Sequence, residues 1–362
     1  RERSEQALGI MFAAGAVGAI VGTLLAGFLF ISWLGSAVTL QIMAAFYAVA
    51  AAILFAVARS NSATLSGAAS AIAVAMFLGW RALSAQPVCD VESSYYCIRT
   101  EALNDAAQQP VRVMILDHLA HGVGARDEPQ VMYTDHTAML DALPRMRMED
   151  RQFSSFHIGG GTYSVPTAWA FRGQKDITVA EIDPQVTKVA VRDFWYEPQT
   201  AEILHTDARS VLLRSAKRYD VIVGDAFTDI AVPAHLVTQE FFELVSDRLS
   251  SSGVFAINVV DRVDRLEALA AMYRTLRSVF PSVEVWTEAT PPEPQQRRVF
   301  VLLASESDSP ISMIEARTPQ IKQFAPLASS FMDDLVVRTD AQLLSDDYAP
   351  VDRLMGLGSV LD

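Results

Sequence analysis

Residues 8–34 contain no charged side chain, and 36–58 is nearly as apolar. A third, weaker run at 62–80 is rich in Ala, Gly and Ser. The hydrocarbon core of a bilayer takes about 20 apolar residues per helix. The pattern therefore predicts two membrane spans, with the third run as a further candidate. The alternative is a helical hairpin buried in a soluble core, which uncharged runs of this length disfavour. Three runs and the missing cleavage pattern exclude a signal peptide. Gly15, Gly18, Gly22 and Gly27 are small enough to let neighbouring helices approach closely. The chain begins with Arg1 rather than Met, and further sequence is expected upstream.

The pattern changes after the apolar runs. Residues 88–135 read as short extended pieces, YYCIRTEAL, VRVMILD and VMYTD, broken by NDAAQQP and HGVGARDEP. From 153 onward apolar strands alternate with helical stretches. Strands are predicted at 153–158, 177–183, 201–206, 219–224, 253–260, 283–288 and 298–304. Helices are predicted at 185–194, 208–216, 236–250 and 262–279. Strands separated by helices of this length imply an α/β domain built on a parallel sheet with helices on both faces. The expected organisation is membrane helices at 1–84, a small β-rich domain at 85–150 and the α/β domain at 151–362. In such a sheet ligands bind beyond the carboxyl ends of the strands.

Charge sharpens the division. Residues 1–80 carry only Arg1, Glu2, Arg3, Glu5 and Arg59, leaving 26 basic and 40 acidic side chains for the remainder. An acidic body of that kind is a poor partner for nucleic acid, whose phosphates call for Lys and Arg. It suits a cationic small molecule, or is simply a solvated acidic surface. Arg1, Arg3 and Arg59 place the N-terminus and the second loop in the cytoplasm, so that three spans leave the large domain outside. Cys89 and Cys97, the chain's two cysteines, fit either a disulfide on that side or a pair of buried thiols.

The chemistry gathers at the strand ends. Gly159, Gly160 and Gly161 follow the first strand of the α/β domain directly. A dinucleotide fingerprint would need a further glycine where Ser164 stands, so NAD is disfavoured. Glu181 falls twenty residues after Gly161, at the end of the second strand, where a carboxylate can accept both hydroxyls of a ribose. The next strand ends in HTDA, putting Asp207 and Ala208 where an adenine edge would be met. Asp225 tips the fourth strand. Together these describe a nucleoside pocket that makes no provision for a pyrophosphate.

At these residues the chain resembles the spermidine synthase, or polyamine aminopropyltransferase, family. The likeness runs from about residue 92 to 304 through ESSYYCIR, VRVMILDHLAHG, the glycine turn, AEIDP, DARSVL and DAFTDIAVP. AGFLFISWLG, DAFTDIAVPAHLVT and LLSDDYAPVDRL look like the membrane-bound, fused members. The resemblance implies a Rossmann-like sheet of the class I methyltransferase type and a homodimer. It also implies decarboxylated S-adenosylmethionine as co-substrate and an amine or polyamine as acceptor. Carried over by position, Glu181 would hold the ribose, Asp207 the adenine side, and Asp225 would be the catalytic carboxylate. Because cells make that donor in the cytoplasm, the resemblance pulls the catalytic domain to the side opposite the one the charge count favours.

The departures cluster away from the nucleoside. The family turn reads GGGDG, and its acid, which binds the donor amine, is Thr162 here. A second family acid falls on Thr228, with Asp229 displaced by one. Family glutamines correspond to Tyr96 and His121, and a family tyrosine to His136, with Tyr133 nearby. The acceptor-side tyrosine is missing, with Glu293 at or near its place. Asp229, Glu293, Asp346 and Asp347 are candidate replacement anions. His118, His121 and His136 have no spacing that fixes a tetrahedral metal site, so no metal is expected. The reading that follows is a membrane-anchored, aminopropyltransferase-like enzyme. The alternatives are a methyltransferase using S-adenosylmethionine, since losing the turn acid could admit a carboxylate-bearing tail, and a non-catalytic nucleoside-binding or transport-coupled module.

Overall fold

The computed structural model describes residues 2–57, 69, 72–77, 79–81, 84, 88–103, 109–226 and 232–355. It divides into two compact units, 1–98 and 99–362.

In the first unit, helix Glu2–Leu25 runs through a π-helical turn, Ala26–Phe30, into helix Ile31–Val57. Gly35, at φ 79°, interrupts the last of these. The segments Glu5–Phe30 and Leu34–Ala51 are long and apolar enough to cross a membrane. Their large side chains point outward, with Phe12 72% and Phe28 78% exposed, so they do not form the buried core hairpin weighed above. The run at 62–80 lies mostly outside the described residues. Just past the Gly35 break, Ser36 donates to Glu92 through its backbone N–H (3.1 Å) and its hydroxyl (3.0 Å). A carboxylate there satisfies an N–H that the interrupted helix leaves unpaired. Glu92 belongs to strand β1 (Val91–Glu92), which pairs antiparallel with the start of β2 (Cys97–Leu103). Cys89 and Cys97 are joined in a disulfide beside this ladder.

The second unit opens with the remainder of β2, followed by β3 (Val111–Leu116) and β4 (Leu119–Ala125), which pair antiparallel. Its main sheet comprises β5 (Ser154–Ile158), β6 (Asp176–Ala180), β7 (Glu202–Leu204), β8 (Tyr219–Gly224), β9 (Leu249–Arg262), β10 (Ser282–Glu288), β11 (Arg297–Ser305), β12 (Ile314–Ala316) and β13 (Lys322–Pro326). Their order is β12-β13-β10-β11-β9-β8-β5-β6-β7. Strands β5 to β9 are mutually parallel, as the alternation with helices predicts.

The wholly parallel sheet is corrected at its far side. Strand β11 runs antiparallel to both β9 and β10, and β13 antiparallel to β10. The physical reason is the connection: the Pro-rich segment between β10 and β11 contains no helix, and a parallel return needs a crossover of a dozen or more residues. The helix predicted at 262–279 begins only at Glu267, because Asp261 and Arg262 stay in the ladder opposite Arg298 and Arg297.

Helix Asp135–Arg147 has no counterpart among the predicted elements. Residues Thr137 to Pro144 are all buried, so it presents no polar stripe for the pattern to reveal. It packs on β9 and β11. Its Asp141, 3% exposed, accepts hydrogen bonds from Trp169 Nε1 (2.8 Å), Arg172 (2.7 Å) and Arg145 (3.2 Å). This network pins helix Ser164–Phe171, which follows the glycine turn, to helix Asp135–Arg147. Deleting one partner of such a buried pair typically costs about 3–5 kcal/mol.

His157, in β5, packs on Trp169 with ring centroids 4.9 Å apart. Burial pushes its imidazole from the usual 6.5 down to about 3, and its Nε2 has no hydrogen-bond partner among the described residues. Between those two values the unfolded chain binds a proton that the folded chain refuses, so stability falls as the pH is lowered through that window. His157→Leu should flatten this part of the dependence of Tm on pH. Melting curves of the variant that fall as steeply as those of the wild type would show that His157 is not the group responsible.

Candidate active site

The carboxyl ends of β5, β6, β7 and β8 bring the predicted residues to one rim. The backbone N–H of Asp225 donates to the Ile158 carbonyl at 3.0 Å, which draws the tip of β8 against the glycine turn. Gly159 has φ +92°, and a Cβ there would lie 2.6 Å from the Asp225 carbonyl oxygen. A Cβ on Gly160 would strike the ring of Tyr163 at 2.5 Å. The turn is thus glycine for two separate reasons, left-handed backbone and close approach.

Glu181, 5% exposed, holds this turn from the end of β6. One carboxylate oxygen accepts the N–H of Gly160 (2.8 Å) and, at 3.4 Å, that of Gly161; the other accepts the N–H of Asp183 (2.8 Å). Burial pushes the carboxyl up by more than these N–H groups pull it down, so it titrates above the ordinary carboxylate range. A carboxylate has about four lone-pair positions. Three of these are in use here.

Asp207 lies beyond the next strand. It caps helix Ala208–Arg214 through the Ser210 N–H (2.8 Å) and meets His235 Nε2 at 2.9 Å. Burial pushes its carboxyl up, but the bonds from His235 and Ser210 outweigh that and leave it below the usual range. Ala208 is buried as the first residue of the helix.

Asp225 is set up differently. Its Oδ1 accepts from Asn258 Nδ2 at 2.6 Å, and its Oδ2 lies 4.0 Å from His136 Nε2. His136 sits in the first turn of helix Asp135–Arg147. Tyr133, nearby in sequence, receives a long bond (3.5 Å) from Gln109 among its contacts. His136 faces Asp225.

Thr162 is 5% exposed and turned away from the rim. Its hydroxyl bonds that of Ser164 at 2.7 Å, and it fills the space beside Gly122, where a Cβ would lie 2.5 Å from Thr162 Oγ1. A turn acid could not occupy that space without losing its solvent, so the threonine is a packing residue. Strand β4, which carries Gly122, also carries His121. Thr228 and Asp229 lie outside the described residues.

The remaining candidate anions among the described residues are engaged or exposed. Asp346 holds Arg209 through both oxygens (2.7 and 2.6 Å) and accepts from Thr238. Glu293 and Asp347 are exposed. The pattern reading missed Asn258 and His235. Asn258 had a signal, as the one amide within the apolar run VFAINVV.

The likeness to known proteins agrees with this architecture. A probable spermidine synthase of Corynebacterium glutamicum superposes with a TM-score of 0.60, covering 73% of this chain and 99% of its own, at 19% identity, a likeness of fold. The spermine/spermidine synthase domain matches residues 157–311. A polyamine aminopropyltransferase of Vibrio vulnificus is 30% identical over 208 residues, 54% of this chain and 67% of that protein. An N-terminal histidine N-methyltransferase of Emericella nidulans is 35% identical over 162 residues, 43% of this chain but only 28% of that protein. The fold is mixed α/β, and the sequence relatives make the chain a transferase. The chain belongs to the spermine/spermidine synthase family.

A pH test follows from Glu181. If the ribose needs the ionised carboxylate, methylthioadenosine affinity should fall on acidification, starting above the ordinary carboxylate range. Glu181→Gln should bind weakly and without that pH dependence, as read by calorimetry. Equal affinity for both proteins across the range would remove the ribose assignment.

Proposed function

We propose that this protein is a membrane-anchored, spermidine synthase-like aminopropyltransferase using decarboxylated S-adenosylmethionine and an amine acceptor. The observation that carries the reading is Asp225. It is pinned by backbone to the glycine turn and by side chain to Asn258, with its second oxygen turned toward His136.

The chemistry asks for such a group. An aliphatic ammonium has a pKa of about 10.4, so freeing its lone pair at neutral pH costs about 4–5 kcal/mol. A fixed carboxylate that accepts the proton offsets part of this and aligns the nitrogen with the carbon beside the sulfonium. Gly159, Gly160, Gly161 and Glu181 would hold the nucleoside, and Asp207 its adenine side. In this reading Asp207 exchanges His235 for the adenine amino group. His121 and His136 border the acceptor space, which takes a polyamine or another amine.

A second reading, methyl transfer from S-adenosylmethionine, draws support from Thr162. The neutral, buried threonine offers no anion to a donor amine. The relative named as a histidine N-methyltransferase points the same way.

Anchoring rests on the two apolar helices. The Cys89–Cys97 bond favours an oxidising compartment for the segment that follows them. Membrane-impermeant thiol reagents applied to intact cells after mild reduction should label both cysteines. Labelling only after lysis would place them on the cytoplasmic side.

The reaction is tested by mass spectrometry of the nucleoside released with each donor and a panel of amines. Methylthioadenosine is the expected product, and S-adenosylhomocysteine would establish methyl transfer instead. Asp225→Asn should lower kcat by about 10²-fold or more while leaving methylthioadenosine affinity within about twofold. Undiminished turnover in that variant would remove Asp225 from the mechanism.

A further inference from the structure

Asn258 is the polar exception in the middle of β9. Its neighbours Ala256, Ile257 and Val259 are fully buried, and Asn258 itself is only 3% exposed. A buried amide is unfavourable unless it is hydrogen-bonded, and a strand interior prefers β-branched apolar residues. Its Oδ1 is buried and finds no partner among the described residues. Its amide makes one short bond, 2.6 Å, to Asp225 Oδ1. A side chain with half its polar end unsatisfied is poorly explained as a stabiliser of the strand. It is well explained by what it does to the carboxylate.

The geometry is fixed by pairing. Gly224 stands opposite Ile257 in the parallel β8–β9 ladder, so the next residue of each strand, Asp225 and Asn258, leave the register together. The backbone of Asp225 is held from the other side by Ile158. With the main chain fixed on β5 and Oδ1 fixed on β9, the carboxylate cannot rotate freely. Its Oδ2 is left facing His136.

We propose that Asn258 is a positioning residue for group transfer, dividing the labour of the two Asp225 oxygens. Oδ1 is committed to the amide, and Oδ2 receives the acceptor's proton. This rests on the transfer reading given above. An ammonium acceptor gives one proton to Oδ2, and the freed lone pair forms the new N–C bond. The C–S bond breaks with its electron pair remaining on sulfur. The sulfonium becomes a neutral thioether, and the product nitrogen carries the positive charge.

The test is a double-mutant cycle on the full chain in detergent, with the donor and amine that the wild type turns over. Asn258→Leu should lower kcat about 10- to 100-fold, with acceptor KM and methylthioadenosine affinity within about threefold of wild type. In an Asp225→Asn background the same change should have no further effect on kcat. A merely structural role would lower kcat equally in both backgrounds and would weaken the nucleoside affinity. Either that result, or a kcat of Asn258→Leu within twofold of wild type, overturns the proposal. Should Asn258→Leu fail to fold, Asn258→Val, matching the strand's own neighbours, carries the same cycle. A wild-type protein that releases no nucleoside from either sulfonium donor overturns the transfer reading and this inference with it. Wild-type turnover that survives the Asn258 change overturns the inference alone.

Discussion

The rim of the sheet is organised by one carboxylate reaching back to a turn in a neighbouring strand. Glu181 gathers the N–H groups of Gly160, Gly161 and Asp183. Unpaired backbone donors are costly, so this acid holds the turn in shape. The bond from Gly161, at 3.4 Å, is the longest of the three.

Around that centre the two halves of the site are built on different principles. Along β5 to β7 the rim consists of backbone and acids at successive strand tips. Around Asp225 it is made of side chains fixed by other side chains: Asp225 by Asn258, and helix Asp135–Arg147, which carries His136, by Asp141.

Strands β5, β6 and β8 and the glycine turn were legible because apolar runs bounded by Gly, Asp and helical stretches leave little choice. The direction of β11 was not, because a strand's pattern is the same whichever way it runs; only the short Pro-rich connection before it carries the information. Helix Asp135–Arg147 escaped for the opposite reason: buried on nearly all sides, it has no amphipathic signature. Among the candidate residues, Glu181 and Asp225 were legible from spacing as the positions just past the ends of β6 and β8, where the structure has them. Thr162 was readable as a departure, but its orientation into Gly122 was not, since the partner lies on a strand forty positions earlier. Asn258 was visible as an oddity in an apolar run, but its role depends on the β8–β9 register, which no local pattern encodes.

Glu92 has a practical consequence for anyone wishing to study the α/β body by itself. The acid that completes the helix beyond Gly35 sits on the same short ladder as the disulfide, and that ladder's second strand continues into the catalytic unit. A boundary drawn just before residue 88 would retain the crosslink but leave Glu92 with no helix to finish. One drawn after 98 would remove the ladder and cut into β2. Strand β2 runs across residue 98, and expression boundaries chosen from hydropathy alone would overlook it.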